Sequence, residues 1–271
     1  MTRKNNFGKM IIIMSLIMGA LSLALMLISN EREKNNNQSI TIDLGTMQLV
    51  QLEGPRDGDT IAIVDTTLGE VRFRLYPEYC PNAVANFISL AESGYYDGTF
   101  VFDAKQGAYS VMGATGKDGS VAGGFSQDQE HIKRELHQNL WPFRGAVCLF
   151  NTSYEQTFKQ KILGGGTYYC GSRFTLLNSV KFDEEFSNEI RESSINKKLA
   201  EAFIKKGGIP NFSQQVTIIG QTYDGFDVVD KLASLETQNS GKYDVPVEDV
   251  KINSVKIEKY SSAEASSAAA D

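Results

Sequence analysis

Residues 69–99, GEVRFRLYPEYCPNAVANFISLAESGYYDGT, change from the periodicity of a strand to that of a helix within one stretch. In the first part, Val71, Phe73 and Leu75 alternate with polar or amphipathic residues, the pattern of a strand with one buried face. The apolar run TIAIVDT lies just before, and a turn at Leu68-Gly69 separates the two runs. The sequence therefore predicts a β-hairpin here.

The second part of the stretch has helical spacing. Pro81 is suited to the first turn of a helix, and Gly94 to its end. The apolar residues at i, i+3, i+4 and i+7 are Val84, Phe87, Ile88 and Ala91. We expect a helix that covers one opening of the sheet that follows.

The rest of the body contains short apolar runs joined by glycine-rich or polar connections. They are TFVF, AYSVMG, GAVCLF, RFTLLN and QVTIIG. Regular helices do not alternate with these runs, which favours an antiparallel barrel or sandwich over βαβ units. The stretch DGFDVVDKLAS predicts a second helix, with Asp224 at its N-cap. Because two helices can close the two ends of a barrel, we expect a mainly β barrel.

The last apolar run changes phase along the chain. Its apolar residues are Val250, Ile252, Val255 and Ile257. A β-bulge at Asn253-Ser254 would keep these side chains on the inner face of a strand.

Residues 183–208 have the features of a helical insertion on the barrel. Ile195, Leu199 and Phe203 recur at i, i+4 and i+8, and Gly207 follows the last basic residues. One extra helix is expected there.

The N-terminus contains an apolar run long enough to cross a membrane. Residues 10–29 carry no charge, and about 20 residues cross a hydrocarbon layer of about 30 Å as a helix. The three bases of residues 1–9 favour a cytoplasmic N-terminus. Residues 30–40 then form a polar tether, the body at 41–260 lies outside the cytoplasm, and residues 261–271 form a disordered tail.

A cleaved signal peptide is the alternative to this single-pass anchor. The apolar run is long for a signal peptide, and no clear small-x-small cleavage site follows it. The expected location is therefore the cell membrane, with the folded body outside the cytoplasm.

Composition argues against several classes of partner and cofactor. The net charge is −6, and no stretch concentrates bases with interleaved aromatic residues as a nucleic-acid surface does, so nucleic acid is not an expected partner. Cys80, Cys148, Cys170, His131 and His137 lack metal-ligand spacing, and no metal or other cofactor is expected. The cysteines are expected to be buried thiols, the alternative being one disulfide and one leftover thiol.

Four segments in a fixed order resemble the cyclophilin-type peptidyl-prolyl isomerases. They are the opening stretch 69–99, LWPFRGAVCLFN, GSRFTLLN and VTIIGQTYDGFDVVDKLA, and they cover most of residues 59–260. The resemblance implies a closed eight-stranded antiparallel β-barrel with a helix at each end. It also implies catalysis of rotation about X-Pro bonds, which is slow because the amide has partial double-bond character.

The resemblance further implies a peptide groove whose key residues are replaced. In the family, a guanidinium donates a hydrogen bond to the prolyl nitrogen and draws its lone pair out of conjugation. This chain has Asp103 at that position, and Phe102 where the family has His. The other groove positions are Val111, Phe150, Asn151, Arg173, Phe174, Thr175, Asn211 and Val216. An ionised carboxylate cannot donate, so weak or absent isomerase activity is expected.

Several roles are open for individual groove residues. Asp103 could bind a partner or be simply solvated, and Arg173 could form an ion pair with Asp103 or bind a peptide carbonyl. Phe174 could belong to the core or contact a ligand, with the core favoured. Lys105 or Arg173 could serve as a substitute donor.

Three functions follow from these expectations. The first is a weak or inactive isomerase acting on X-Pro bonds of exported polypeptides. The second is a non-catalytic binding or chaperone module that uses the altered groove or the insertion at 183–208. The third is a structural spacer in an envelope complex. The expected partners are polypeptide clients, with proline-containing segments among them.

Overall fold

A computed structural model describes residues 40–121, 132–153 and 168–263 of the chain. The predicted anchor at 10–29 lies outside the described residues, as do almost all of the tether at 30–40 and most of the tail at 261–271. Within the described part of the chain, every helix is too short or too polar to cross a membrane.

The contacts of the chain divide it into two compact units. Residues 38–152 and 168–271 form the unit that contains the sheet and helices described below. The other unit consists of residues 1–37 and 153–167, and apart from Ser153 it lies outside the described residues.

Eleven strands and four α-helices are found in the described ranges. The strands are β1 (Thr60–Thr66), β2 (Gly69–Leu75), β3 (Phe100–Lys105), β4 (Tyr109–Ala114), β5 (Ile132–Lys133), β6 (Ala146–Ser153), β7 (Tyr168–Leu177), β8 (Ile218–Asp224), β9 (Thr237–Asn239), β10 (Asp244–Pro246) and β11 (Ile252–Lys259). The helices are α1 (Pro81–Glu92), α2 (Glu184–Ser193), α3 (Lys197–Lys206) and α4 (Phe226–Ala233), and short 3₁₀ turns lie at Val50–Leu52 and Pro210–Phe212.

The main sheet is antiparallel and curled. Its strand order is β11-β1-β2-β8-β6-β7-β4-β3, with β5 paired to β7, while β9 and β10 form a separate hairpin. The two edges meet at a single bridge between Phe100 and Lys251, next to a 2.9 Å hydrogen bond from the Val101 N–H to the Val250 carbonyl. The mainly β antiparallel architecture is thus confirmed as a curled sheet, and full closure into a barrel stays a prediction.

Helix α1 covers one side of the sheet, as the opening stretch predicts. Its N-terminal residue is Pro81, and Gly94 follows its end with a φ of 71°. The Phe87 ring is fully buried and packs 5.8 Å from the Phe73 ring of β2, centroid to centroid. The alternation of β2 and the helical stripe of α1 therefore meet in one core.

The N-cap of helix α4 lies one residue later than the sequence predicts. Its N-cap is Gly225, not Asp224, and the Asp224 carboxylate instead accepts a hydrogen bond from the Gly225 N–H. Gly225 has a φ of 83°, and a Cβ there would lie 2.3 Å from the Glu70 carbonyl oxygen. The close approach of β2 requires glycine at the cap.

The predicted bulge in β11 is confirmed. Asp65 pairs with Ser254 whereas Thr66 pairs with Ile252, so Asn253 is the extra residue. Ile252 and Val255 are both buried on either side of it.

The insertion at 183–208 contains two helices, and the expectation of one extra helix is wrong. The Asn196 side chain caps α3 by accepting from the backbone N–H groups of Lys198 and Leu199. This cap separates α3 from α2 and leaves Ile195 in the turn, 54% exposed, rather than on a buried helix face. The other two predicted residues, Leu199 and Phe203, are buried in a cluster with Trp141 and Phe143.

The three cysteines are buried free thiols, as expected. Burial raises the pKa of each thiol, to about 12 for Cys170. Protonated, buried thiols act as small apolar groups in the core.

Candidate functional site

Three neighbouring strands, β3, β4 and β7, form the floor of the candidate groove. Asp103 pairs with Val111, and Val111 pairs with Thr175, so these residues lie in one row across the strands. Directly paired residues point to the same face of a sheet, and so do residues two apart in one strand. Arg173 therefore shares the outer face with Thr175.

Asp103 stands next to a bulge in β3. Val101 pairs with Met112 and Asp103 with Val111, which leaves Phe102 as the extra residue. The half-buried Asp103 carboxylate accepts a 2.9 Å hydrogen bond from the Asp244 backbone N–H. Desolvation raises the pKa of this carboxyl, and the hydrogen bond from Asp244 opposes the rise. Asp103 thus accepts a hydrogen bond from the main chain of this protein. Neither of its expected roles, partner binding or simple solvation, includes this contact.

Arg173 is 8% exposed and has a different set of contacts. Its Nη1 donates to the Gly119 carbonyl at 2.9 Å, and its guanidinium carbon lies 5.0 Å from the centre of the Phe150 ring. The expected ion pair with Asp103 is wrong, because the two side chains have separate partners. The guanidinium does bind a carbonyl, but one of this chain itself.

Lys105 is not poised over the groove as a substitute donor. Its Nζ lies 3.5 Å from Asp244 Oδ2, and 64% of its side chain is exposed. The ammonium is therefore placed beside the hairpin on the outer surface.

An aromatic cluster occupies the groove next to Asp103. The Phe102 ring is fully buried and lies 5.0 Å from the Tyr243 ring and 6.0 Å from the Phe150 ring, both edge to face. Val111 is 1% exposed in the same cluster. Phe102, Phe150 and Val111 are therefore brought together, but as packed side chains rather than as an open hollow.

Phe174 belongs to the core, as favoured. It is fully buried on the inner face of β7, and its ring packs edge to face at 5.5 Å against both Phe87 and Tyr96. Thr175, the next residue, points to the groove side and is 8% exposed.

The remaining groove positions lie in β6 and in the segment before β8. The Asn151 Nδ2 donates to the Gln215 carbonyl at 2.7 Å, whereas its Oδ1 is buried with no hydrogen-bond partner in the described part of the chain. Asn211 is exposed in a 3₁₀ turn, and Val216 is half-buried against the core. These three residues form a polar and apolar wall, of which Asn151 alone offers a buried unpaired acceptor.

Sequence reasoning missed four groove residues. Tyr109 and Phe212 form an aromatic pair with ring centroids 6.1 Å apart, next to the Thr175 position. Tyr243 and Gly119 come from segments distant in sequence, and their positions depend on how the hairpin and a loop lie against β3. No local pattern in the sequence signals these contacts.

A cavity of about 500 Å³ adjoins the aromatic cluster. It is lined by Asp118, Gly119, Ser120, Val121, Arg173, Ser240, Lys242 and Tyr243. No group of three or more potential metal ligands occurs in the residues that the structure describes.

The groove presents a hydrogen-bond acceptor, the Asp103 carboxylate. The carboxylate of Asp103 stands where the resemblance places a cationic donor, and the guanidinium of Arg173 donates to the Gly119 carbonyl. A carboxylate of this kind can receive N–H groups of a polypeptide.

The curled sheet, the helices and the outer groove together define a cyclophilin-like β protein. Two crystal structures of a Cryptosporidium parvum cyclophilin-type peptidyl-prolyl cis-trans isomerase superpose with TM-scores of 0.54 and 0.53. The identities are 20% and 19%, and each match covers 99% of the parasite chain and about three quarters of this one. The parasite structure with the lower score was obtained in the presence of the dipeptide Ala-Pro.

Sequence comparisons show a similarity to the same family. Residues 61–169 match the family described as cyclophilin type peptidyl-prolyl cis-trans isomerase/CLD. A Staphylococcus aureus protein provisionally named a peptidyl-prolyl cis-trans isomerase is 26% identical over 75% of this chain and 94% of its own length. A Streptococcus pyogenes protein, provisionally named a bifunctional phosphatase/peptidyl-prolyl cis-trans isomerase, is 28% identical, and the match spans 78% of this chain but 41% of that protein. The chain is thus similar to cyclophilin-type proteins over about three quarters of its length.

Proposed function

We propose that this protein is a membrane-anchored, extracytoplasmic cyclophilin-type protein that binds X-Pro segments of exported polypeptides and has weak or no isomerase activity. The observation that carries the proposal is the half-buried Asp103 carboxylate, which accepts a main-chain hydrogen bond at the place expected for the catalytic cation. The family and the fold support the peptide-binding part of the proposal.

The reduced activity follows from the electronic requirement of the reaction. Rotation about the X-Pro bond is faster when a donor attracts the nitrogen lone pair and weakens the partial double bond. Loss of one pre-organised donor typically lowers a rate by about 100- to 1,000-fold. An ionised carboxylate in its place repels the lone pair, so the expected loss is at least this large.

Two observations support a polypeptide as the ligand. The related parasite protein was crystallised in the presence of a proline-containing dipeptide. In this chain, the Asp103 carboxylate accepts a main-chain N–H, a contact that an extended polypeptide segment can also supply.

The membrane part of the proposal rests on sequence. Residues 10–29 have the length and the absence of charge expected of a spanning helix, with bases before them. Protease added to intact cells should then remove the folded body while leaving the first residues in the membrane fraction. Protection of the body in intact cells would contradict the proposed location.

The activity test compares Asp103→Arg with the wild type. The full-length protein in detergent micelles is mixed with a reporter peptide, and cis-trans exchange at its X-Pro bond is followed by NMR. We expect little acceleration by the wild type, and acceleration at least tenfold greater by Asp103→Arg if the rest of the groove still holds proline. Asp97→Arg, the same charge change at an exposed residue of the segment before β3, is the matched control and should behave as the wild type.

The outcomes separate two functions. Strong acceleration by the wild type would contradict the proposed loss of activity. No acceleration by either protein would favour a non-catalytic peptide-binding module. The packed aromatic cluster favours this second function, because Phe102 and Tyr243 fill space beside Asp103.

A further inference from the structure

The β9–β10 hairpin places one of its own side chains in the groove. Tyr243, the residue before β10, is 9% exposed, and its ring lies edge to face against Phe102 at 5.0 Å and Phe150 at 6.3 Å. Edge-to-face packing of this kind is the preferred arrangement of aromatic rings. The cluster is therefore complementary to an aromatic ring.

The next residue of the hairpin makes the main-chain contact. The Asp244 N–H donates to Asp103 Oδ1 at 2.9 Å. A carboxylate needs an N–H at this point, and every residue except proline supplies one. The arrangement therefore selects an aromatic residue followed by a residue other than proline.

Backbone and a guanidinium close the remaining sides of this pocket. A Cβ at Gly119 would lie 2.8 Å from the Tyr243 ring and 2.7 Å from the Phe102 ring, so the loop approaches both rings with bare backbone. Arg173 donates to the same Gly119 carbonyl and lies over Phe150. These contacts hold the pocket in shape around its aromatic occupant.

The hairpin packs on β3 through β10, but among the described residues no strand pairing joins it to the main sheet. Its strands have three residues each and pair with one another rather than extending the main sheet. Residues 240–242 at its turn are exposed, and Lys105 reaches Asp244 only through a long, largely exposed ion pair. Short isolated hairpins are marginally stable, and exposed ion pairs contribute little.

We propose that the groove is a binding site for an extended polypeptide segment carrying an aromatic residue followed by a non-proline residue, and that Tyr243-Asp244 occupies it as an internal ligand which such a segment displaces. The inference rests on the peptide-binding part of the proposed function and is independent of isomerase activity. It assigns Asp103 a positive role, the recognition of an N–H.

The test uses the full-length protein in detergent micelles and a fluorescent peptide that copies residues 240–247, SGKYDVPV. Binding is measured by anisotropy for the wild type and for Tyr243→Ala, which empties the pocket. We expect Tyr243→Ala to bind the peptide at least tenfold more tightly, because no internal side chain competes. Val247→Ala, at an exposed residue next to the hairpin, should bind as the wild type does.

Two altered peptides test the recognition itself. One has Ala in place of its Tyr, and the other has Pro in place of the Asp that follows the Tyr. Each should bind Tyr243→Ala at least tenfold more weakly than the parent peptide, because one loses the ring and the other loses the N–H. Equal binding of either altered peptide, or equal binding of the parent peptide to wild type and Tyr243→Ala, overturns the proposal.

A folding defect in Tyr243→Ala would not remove the test. If the near-ultraviolet circular dichroism of the variant is lost, the three peptides are titrated into the wild type at millimolar concentration, and the same ranking is expected. A protein that accelerates X-Pro exchange but ranks the peptides equally contradicts only this inference. A protein that ranks them as expected but does not bind X-Pro peptides that lack an aromatic residue contradicts only the proposed handling of proline.

Discussion

The inner face of the sheet and its groove face share the same strands but have different contacts. Inside, the fully buried rings of Phe87, Tyr96 and Phe174 pack with centroids 5.3 to 5.5 Å apart. Outside, Asp103 and Arg173 each bind main chain of a neighbouring segment. Because successive side chains of a strand point to opposite faces, the groove can change its chemistry while the core keeps the fold.

The largest effect on stability is expected inside the sheet. Phe87→Ala should lower the free energy of unfolding by about 3–5 kcal/mol, because it removes a buried ring and leaves a cavity. Urea unfolding of the full-length protein measures the change. Leu52→Ala, at a side chain 44% exposed, is the control and should change it by less than about 1 kcal/mol. Similar effects of both substitutions would contradict the assignment of the core.

A smaller loss of stability is expected when the buried guanidinium of the groove is removed. Arg173→Met keeps much of the apolar length of the side chain but leaves the Gly119 carbonyl without this donor. The free energy of unfolding should fall by about 1–3 kcal/mol, with Arg173→Lys between the wild type and Arg173→Met. If Arg173→Met is as stable as the wild type, the contact with Gly119 does not support the groove.

Substitution of Asp103 should have a still smaller effect. Asp103→Ala removes the acceptor of the Asp244 N–H and should cost about 1 kcal/mol in urea unfolding. Asp103→Asn keeps an acceptor oxygen and should cost less than Asp103→Ala. If Asp103→Ala and Asp103→Asn have the same free energy of unfolding, this hydrogen bond does not anchor the hairpin.

The smallest expected effect is a change of the folded state's stability with pH. Desolvation raises the pKa of Asp103 above its usual 3.8, so the folded state binds this proton more readily than the unfolded chain. The contribution of Asp103 to stability is thus fully present below the unfolded pKa and is lost as pH rises through the folded pKa. Relative to Asp103→Asn, the wild type should lose stability as pH rises from the region of 3.8, as measured by the melting temperature of both proteins. Parallel melting curves across this range would mean that the carboxyl is not desolvated.

Much of the fold could be read from local patterns. The alternation around Phe73 predicted β2, the helical stripe around Phe87 predicted α1, and the change of phase at Asn253 predicted the bulge in β11. Each of these features depends on residues close in sequence. The boundary between α2 and α3 at Asn196 was not predicted. The apolar stripe continues across this residue, although its side chain caps α3.

The groove was only partly predictable. The sequence identified Asp103 and Arg173 as unusual, and the structure shows that they do not form a pair with each other. Their partners, Asp244 and Gly119, lie 141 and 54 residues away along the chain. Contacts at such separations have no periodic signature.

By itself, the sequence determined which faces of the strands and helices are apolar, and its resemblance to the cyclophilin-type proteins predicted a carboxylate at the position of their cation. Only the tertiary structure decided what this carboxylate does, because its hydrogen-bond partner is brought to it by the packing of the β9–β10 hairpin on β3. Burial patterns are written into neighbouring residues, whereas the partner of a polar group depends on which distant segment the folded chain places beside it.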